Sequence, residues 1–107
     1  MKFYHGTNNY GLEETKKQGY LLHKRKGISP CTYLAVDKKE AEKYGDTVLE
    51  VEYDPLKNPD MNNWCRGCWQ LRVYEKIDLS KILHITPYIK ANVSYPLIHL
   101  TDSIFLW

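Results

Sequence analysis

A chain of 107 residues holds one compact domain, so every site must share a single core. With 43% hydrophobic and 26% charged residues the chain buries enough apolar surface to fold, which excludes disorder as its general state. A formal net charge of +2 is too small to mark a nucleic-acid binder, although His23, Lys24, Arg25 and Lys26 concentrate positive charge in one segment.

The first residues, "KFYHGTNN", leave room for a short strand over 2–5 that ends on a histidine and a glycine. From Tyr10 to Gln18 a helix is expected, with Glu13 and Glu14 early, Lys16 and Lys17 late, and Gly19 as a left-handed stop. "YLLHKRKGISPCT", from Tyr20 to Thr32, has no sustained period and contains Gly27 and Pro30, so it reads as a long loop.

"TYLAV", residues 32–36, reads as a buried strand. Asp37 and Glu40 then form a capping-box signature for a helix running to Tyr44 and stopping at Gly45. "TVLEVEY" over 47–53 is β-rich and ends at Asp54-Pro55. "WQLRVY" over 69–74 alternates, with Trp69, Leu71 and Val73 on one face and Gln70 and Arg72 on the other. Further strand candidates are "KILHI" at 81–85, "YPLIHL" at 95–100 and "SIFLW" at 103–107. About six short strands and two short helices around one core make an α+β plan.

Three of these pieces, "YHGT", "TYLAVDKKEAEKYG" and "WQLRVYEKIDLSKIL", occur in the order found in ADP-ribosyltransferases. The chain resembles the superfamily of diphtheria-like toxins and poly(ADP-ribose) polymerases over roughly residues 3–85, with Tyr33 and Tyr44 in the family's register. The resemblance implies a minimal ADP-ribosyltransferase-like fold of split, largely antiparallel sheets in one domain over 1–107. It implies NAD as substrate, with His5, Tyr33 and Gln70 as catalytic residues. NAD contacts would come from His5, Gly6, Thr7, Tyr33, Tyr44, Arg25 and Arg72, with no metal.

In these roles His5 would bond a ribose hydroxyl, the Gly6 backbone would hold the nicotinamide amide, and Tyr33 and Tyr44 would sandwich its ring. Flat cationic rings gain from aromatic faces on both sides. Where the family's chain-extending members carry glutamate, this chain has Gln70. An amide hydrogen-bonds but accepts no proton, which argues against polymer formation and leaves transfer of single units. The loop 20–32 would take the place of the family's donor loop, and 54–67 would meet the acceptor, a protein in preference to a nucleic acid.

Lacking an apolar stretch of the ~20 residues that cross a bilayer and a secretory leader, the chain is expected in the cytoplasm, or in a host's cytoplasm if it is a toxin or viral effector. The alternative is a catalytically inactive module that binds NAD or ADP-ribose and acts on a partner. Three cysteines argue against a closed disulfide framework. "WCRGC" is similar to a thioredoxin motif, but the residues after Cys68 alternate as a strand, whereas that chemistry needs a helix N-terminus. A zinc site from Cys31, Cys65 and Cys68 would need a distant fourth ligand such as His84 or His99. The remaining reading of the pair is a loop with two oxidisable thiols.

Overall fold

The computed structural model describes residues 1–23 and 29–87. The strand candidates at 95–100 and 103–107 and the basic run Lys24–Lys26, Arg25 included, lie outside the described residues. Strand β1, Lys2–Thr7, leads through the cap Asn8 into helix α1, Asn9–Gln18. The Asn8 side chain accepts from the Gly11 amide at 2.7 Å, and Gly19, at φ 89°, donates its amide to Thr15 at the other end. A two-residue strand β2, Tyr20–Leu21, follows, then β3, Thr32–Ala35, and the single turn of helix α2, Lys38–Ala41.

Beyond α2 the chain tightens into a 3-10 turn, Glu42–Tyr44, where a regular helix to Tyr44 is expected from the sequence. The capping box is half realised: Asp37 accepts from the Lys39 amide at 3.0 Å, while the Glu40 carboxylate pairs with Lys43 at 3.1 Å rather than reaching back. Gly45 does not stop the helix in a left-handed conformation; its φ of 167° is extended. Strands β4, Thr47–Glu52, β5, Gln70–Val73, β6, Ile77–Asp78, and β7, Ile82–Pro87, complete the described elements.

The result is an α+β globule with a five-stranded antiparallel sheet in the order β5-β3-β1-β4-β7 and a two-stranded sheet of β2 and β6. Pairing of Tyr20 with Asp78 and Leu21 with Ile77 makes a strand of what reads as the start of a long loop. Two residues are too short to show a period. Lys76 sits 4.6 Å over the Tyr20 ring and ties the small sheet further.

Alternation along the strands divides the side chains of the large sheet. Phe3, Leu34, Leu49, Val51, Leu71 and Val73 are buried on one side with Leu12 of α1 and with Leu21 and Ile77 of the small sheet. The other side carries a smaller cluster, Ala35, Ala41 and Val48, over which Tyr4, Tyr33 and Tyr44 are half-buried. Small residues lie there because α2 comes very close to β1.

Two glycines permit that approach. A Cβ on Gly6 would run into the Ala41 carbonyl, and a Cβ on Gly45 into the Thr7 carbonyl. Gly45→Ala is therefore expected to destabilise the fold by about 3 kcal/mol or more in urea denaturation, because backbone must move to admit the methyl group. Gly19→Ala, where a Cβ meets open space but φ is positive, is expected to cost only about 1 kcal/mol.

Candidate functional site at the parting of two central strands

Strands β1 and β3 pair at Tyr4 and Ala35, and no further register pair continues the ladder as β1 runs on to Thr7. The ring of His5 crosses this parting. It is fully buried, its Nδ1 lies 2.8 Å from the Tyr33 carbonyl oxygen, and its Nε2 lies 2.9 Å from Nε2 of His23. The two rings are stacked with centroids 5.0 Å apart. His23 stands near the start of the long loop, and its carbonyl accepts from the Cys31 amide at 3.1 Å, which closes that loop at its base.

These contacts settle the protons. A carbonyl only accepts, so His5 donates from Nδ1, and one further proton is shared between the facing Nε2 atoms. Two N–H groups cannot meet head-on at 2.9 Å, so the pair holds at most one positive charge. His23, which the sequence offers only as the start of a basic run, is thus the direct partner of His5. Its setting after Leu21 and Leu22 was the available signal that it faces inward.

The other candidate residues divide between the two sides of the sheet. Gly6, Tyr33, Gln70 and Arg72 project to the side of α2, where Tyr44 lies with its Cβ 3.1 Å from the position a Gly6 Cβ would take. Gln70 pairs with Ala35 and Arg72 with Tyr33, so all four follow one another across β1, β3 and β5. His5 and Thr7 project to the opposite side with Phe3. The structure brings His5 to Tyr33 only through the tyrosine's carbonyl. Arg25 lies outside the described residues.

Among the described residues three buried side-chain oxygens lack a hydrogen-bond partner, and all lie on these strands: Thr7 Oγ1, Thr32 Oγ1 and Gln70 Oε1. Thr7 ends β1 and Thr32 begins β3, on the side of the sheet opposite Gln70. Each such oxygen costs about 1–3 kcal/mol when nothing satisfies it, and Gln70 Oε1 is the one on the α2 side.

A hollow of about 120 Å³ on the α2 side, lined by Tyr4, Lys38, Val48, Glu50, His84 and Thr86, lies beside β4 instead. It is too small for a dinucleotide, since ligand pockets run to roughly 300–1,000 Å³. Its Glu50 pairs with Lys2 at 3.7 Å.

The segment leading to Gln70 is firmly held. Tyr53 donates to Glu75 at 2.8 Å and accepts from Asn62, whose amide also reaches the carbonyls of Pro55 and Asn58. Burial, with the Glu75 hydrogen bond, pushes the Tyr53 phenol well above its ordinary range, so it stays a donor. Among the described residues no three His, Cys, Asp or Glu side chains gather to hold a metal ion, and no helix is long and apolar enough to cross a membrane.

Comparison with protein-family models, with curated proteins and with solved structures finds no match to this chain. The resemblance to ADP-ribosyltransferases therefore rests on residues and register alone.

The hydrogen bond between the two buried rings carries a stability prediction. His23→Leu, which removes it, is expected to lower stability by about 1–3 kcal/mol in urea denaturation. An unchanged unfolding midpoint would contradict it.

Proposed function

We propose that this protein transfers single ADP-ribose units from NAD to a macromolecular acceptor. The observation that carries this reading is the gathering, on the α2 side of β1, β3 and β5, of a glycine, two tyrosines and a glutamine that the sequence separates by up to 64 positions, from Gly6 to Gln70, with His5 reaching Tyr33 through its carbonyl from the other side. Gly6 is bare because α2 crowds it, and that crowding is also what sets Tyr44 beside it. Tyr33 and Tyr44 are half-buried over the same alanines, the pair of aromatic side chains that a flat cationic ring would call for.

In the reaction the bond between the ribose C1′ and the nicotinamide nitrogen breaks, and nicotinamide leaves with the bonding electrons. Positive charge builds on the sugar, as in glycoside cleavage, and the acceptor attacks C1′ as it loses its proton. Gln70 Oε1, buried and without a partner, suits a ribose hydroxyl that donates to it. It takes no proton from the acceptor, so that proton passes to solvent or to the acceptor's own surroundings, and the reaction is slow. For His5 to receive a ribose hydroxyl, His23 must give up its place at Nε2. The contact between His5 and His23 is then the part that answers to NAD.

One observation favours a second reading. Both ring nitrogens of His5 are already engaged within the chain, as in a structural histidine, which suits a module that binds NAD or ADP-ribose without turning it over. Isothermal calorimetry with ADP-ribose that yields heat while no nicotinamide forms would select it.

The transferase reading predicts nicotinamide release from NAD in the presence of cell extract. Release should rise on the order of tenfold or more in Gln70→Glu, where a carboxylate supports the cationic sugar and takes the acceptor proton. It should be lost in Tyr44→Leu, which keeps apolar packing but not the aromatic face. Release that is absent from the native chain and from Gln70→Glu alike would overturn the reading.

A further inference from the structure

The chain has three cysteines, of which Cys31 is buried, Cys65 is exposed and Cys68 is partly so. The Cys68 amide donates to the Cys65 carbonyl at 3.2 Å, and Gly67 between them has φ 81°. These are the marks of a type II β-turn, with cysteines at its first and fourth positions. Such a turn holds the two Cα atoms within about 7 Å, and disulfides span about 4.4–6.8 Å.

The Cys68 sulfur is turned back toward Cys65. The Cys65 amide donates to Cys68 Sγ at 3.3 Å, which folds that sulfur back over the start of the turn. The Cys65 thiol is pushed above its ordinary range, first of all by its hydrogen bond with the Cys68 side chain. Strand β5, not a helix, comes after Cys68, so nothing here builds the electropositive start of a helix that makes a thiol a catalyst.

The turn is the tip of a two-stranded finger. Asn62 bridges to Val73, the Asn63 amide donates to the Arg72 carbonyl at 3.1 Å, and the Arg72 amide donates to the Asn63 side chain at 2.6 Å. Gln70 lies on the outgoing arm, two residues past Cys68. One backbone hydrogen bond spans the tip itself.

We propose that Cys65 and Cys68 are a reversible dithiol–disulfide pair, closed by exchange with a small-molecule disulfide and opened by a thiol reductant, that fastens the finger carrying Gln70. One protein thiol loses its proton to solvent and attacks a sulfur of the small disulfide, releasing one small thiol that takes up a proton. The second protein thiol loses its proton, attacks the mixed disulfide and releases the other small thiol. Two protein thiols are oxidised and one disulfide is reduced to two thiols. This site does not depend on the transferase reading.

The test equilibrates the full chain in glutathione buffers from reducing to oxidising, quenches with acid and reads intact mass. The native chain should pass to a species lighter by two hydrogens with no glutathione attached, and return on reduction. Cys65→Ser and Cys68→Ser should each accumulate a glutathione adduct instead. In the oxidised native chain, hydrogen exchange of the Arg72 amide should slow by about threefold or more. Glutathione adducts on the native chain, or a chain that stays reduced in wholly oxidised glutathione, would overturn the pair; unchanged exchange at Arg72 would overturn the fastening.

Discussion

The fold turns on the contact between the end of β1 and the short helix α2, where backbone meets backbone at two glycines. Gly6 yields room to the Ala41 carbonyl, and Gly45 to the carbonyl of Thr7. Any side chain at either place would lift the helix from the sheet. Because α2 seats this deeply, the cluster beneath it is made of alanines and Val48, and three tyrosines form its rim. The same seat brings Tyr44 to Gly6, so the packing constraint and the candidate site are one piece of structure.

A second constraint acts on the opposite side of the sheet. Where β1 and β3 part, the ring of His5 bonds the Tyr33 carbonyl and then meets His23. The parting is bridged by a side chain instead of by a ladder. His23 also accepts from the Cys31 amide, so the histidine pair and the start of β3 are tied together. The unpartnered oxygens of Thr7 and Thr32 belong to the same region.

Much of this is legible in the sequence because the responsible signals are local. Strands β3, β4 and β5 stand out by β-branched content and alternation, and α1 by its late lysines and Gly19, while its cap Asn8 is seen only in the structure. Elsewhere the deciding contact is distant. The small sheet depends on Tyr20 and Leu21 finding Ile77 and Asp78, and no window of sequence contains both. Gly45 reads as a helix stop, yet its role is set by the Thr7 carbonyl, 38 positions earlier, and its backbone is extended. Glu40 completes a capping box by its spacing, but Lys43 offers its carboxylate a nearer partner. His23 hides in a basic run because charge, not burial, dominates that stretch. Gly6 reads as a place for a ligand to approach, and Ala41 supplies a sufficient packing reason of its own.

The central proposal is that NAD enters where β1 parts from β3 and displaces the histidine contact. Two-dimensional amide NMR of the full chain, titrated with NAD, addresses it most directly. The proposal predicts shifts concentrated at Gly6, His23, Tyr33 and Tyr44, with the His5 ring resonances changing as its bond to His23 breaks. No shift at millimolar NAD, or shifts confined to the hollow of Glu50 and His84, would contradict it.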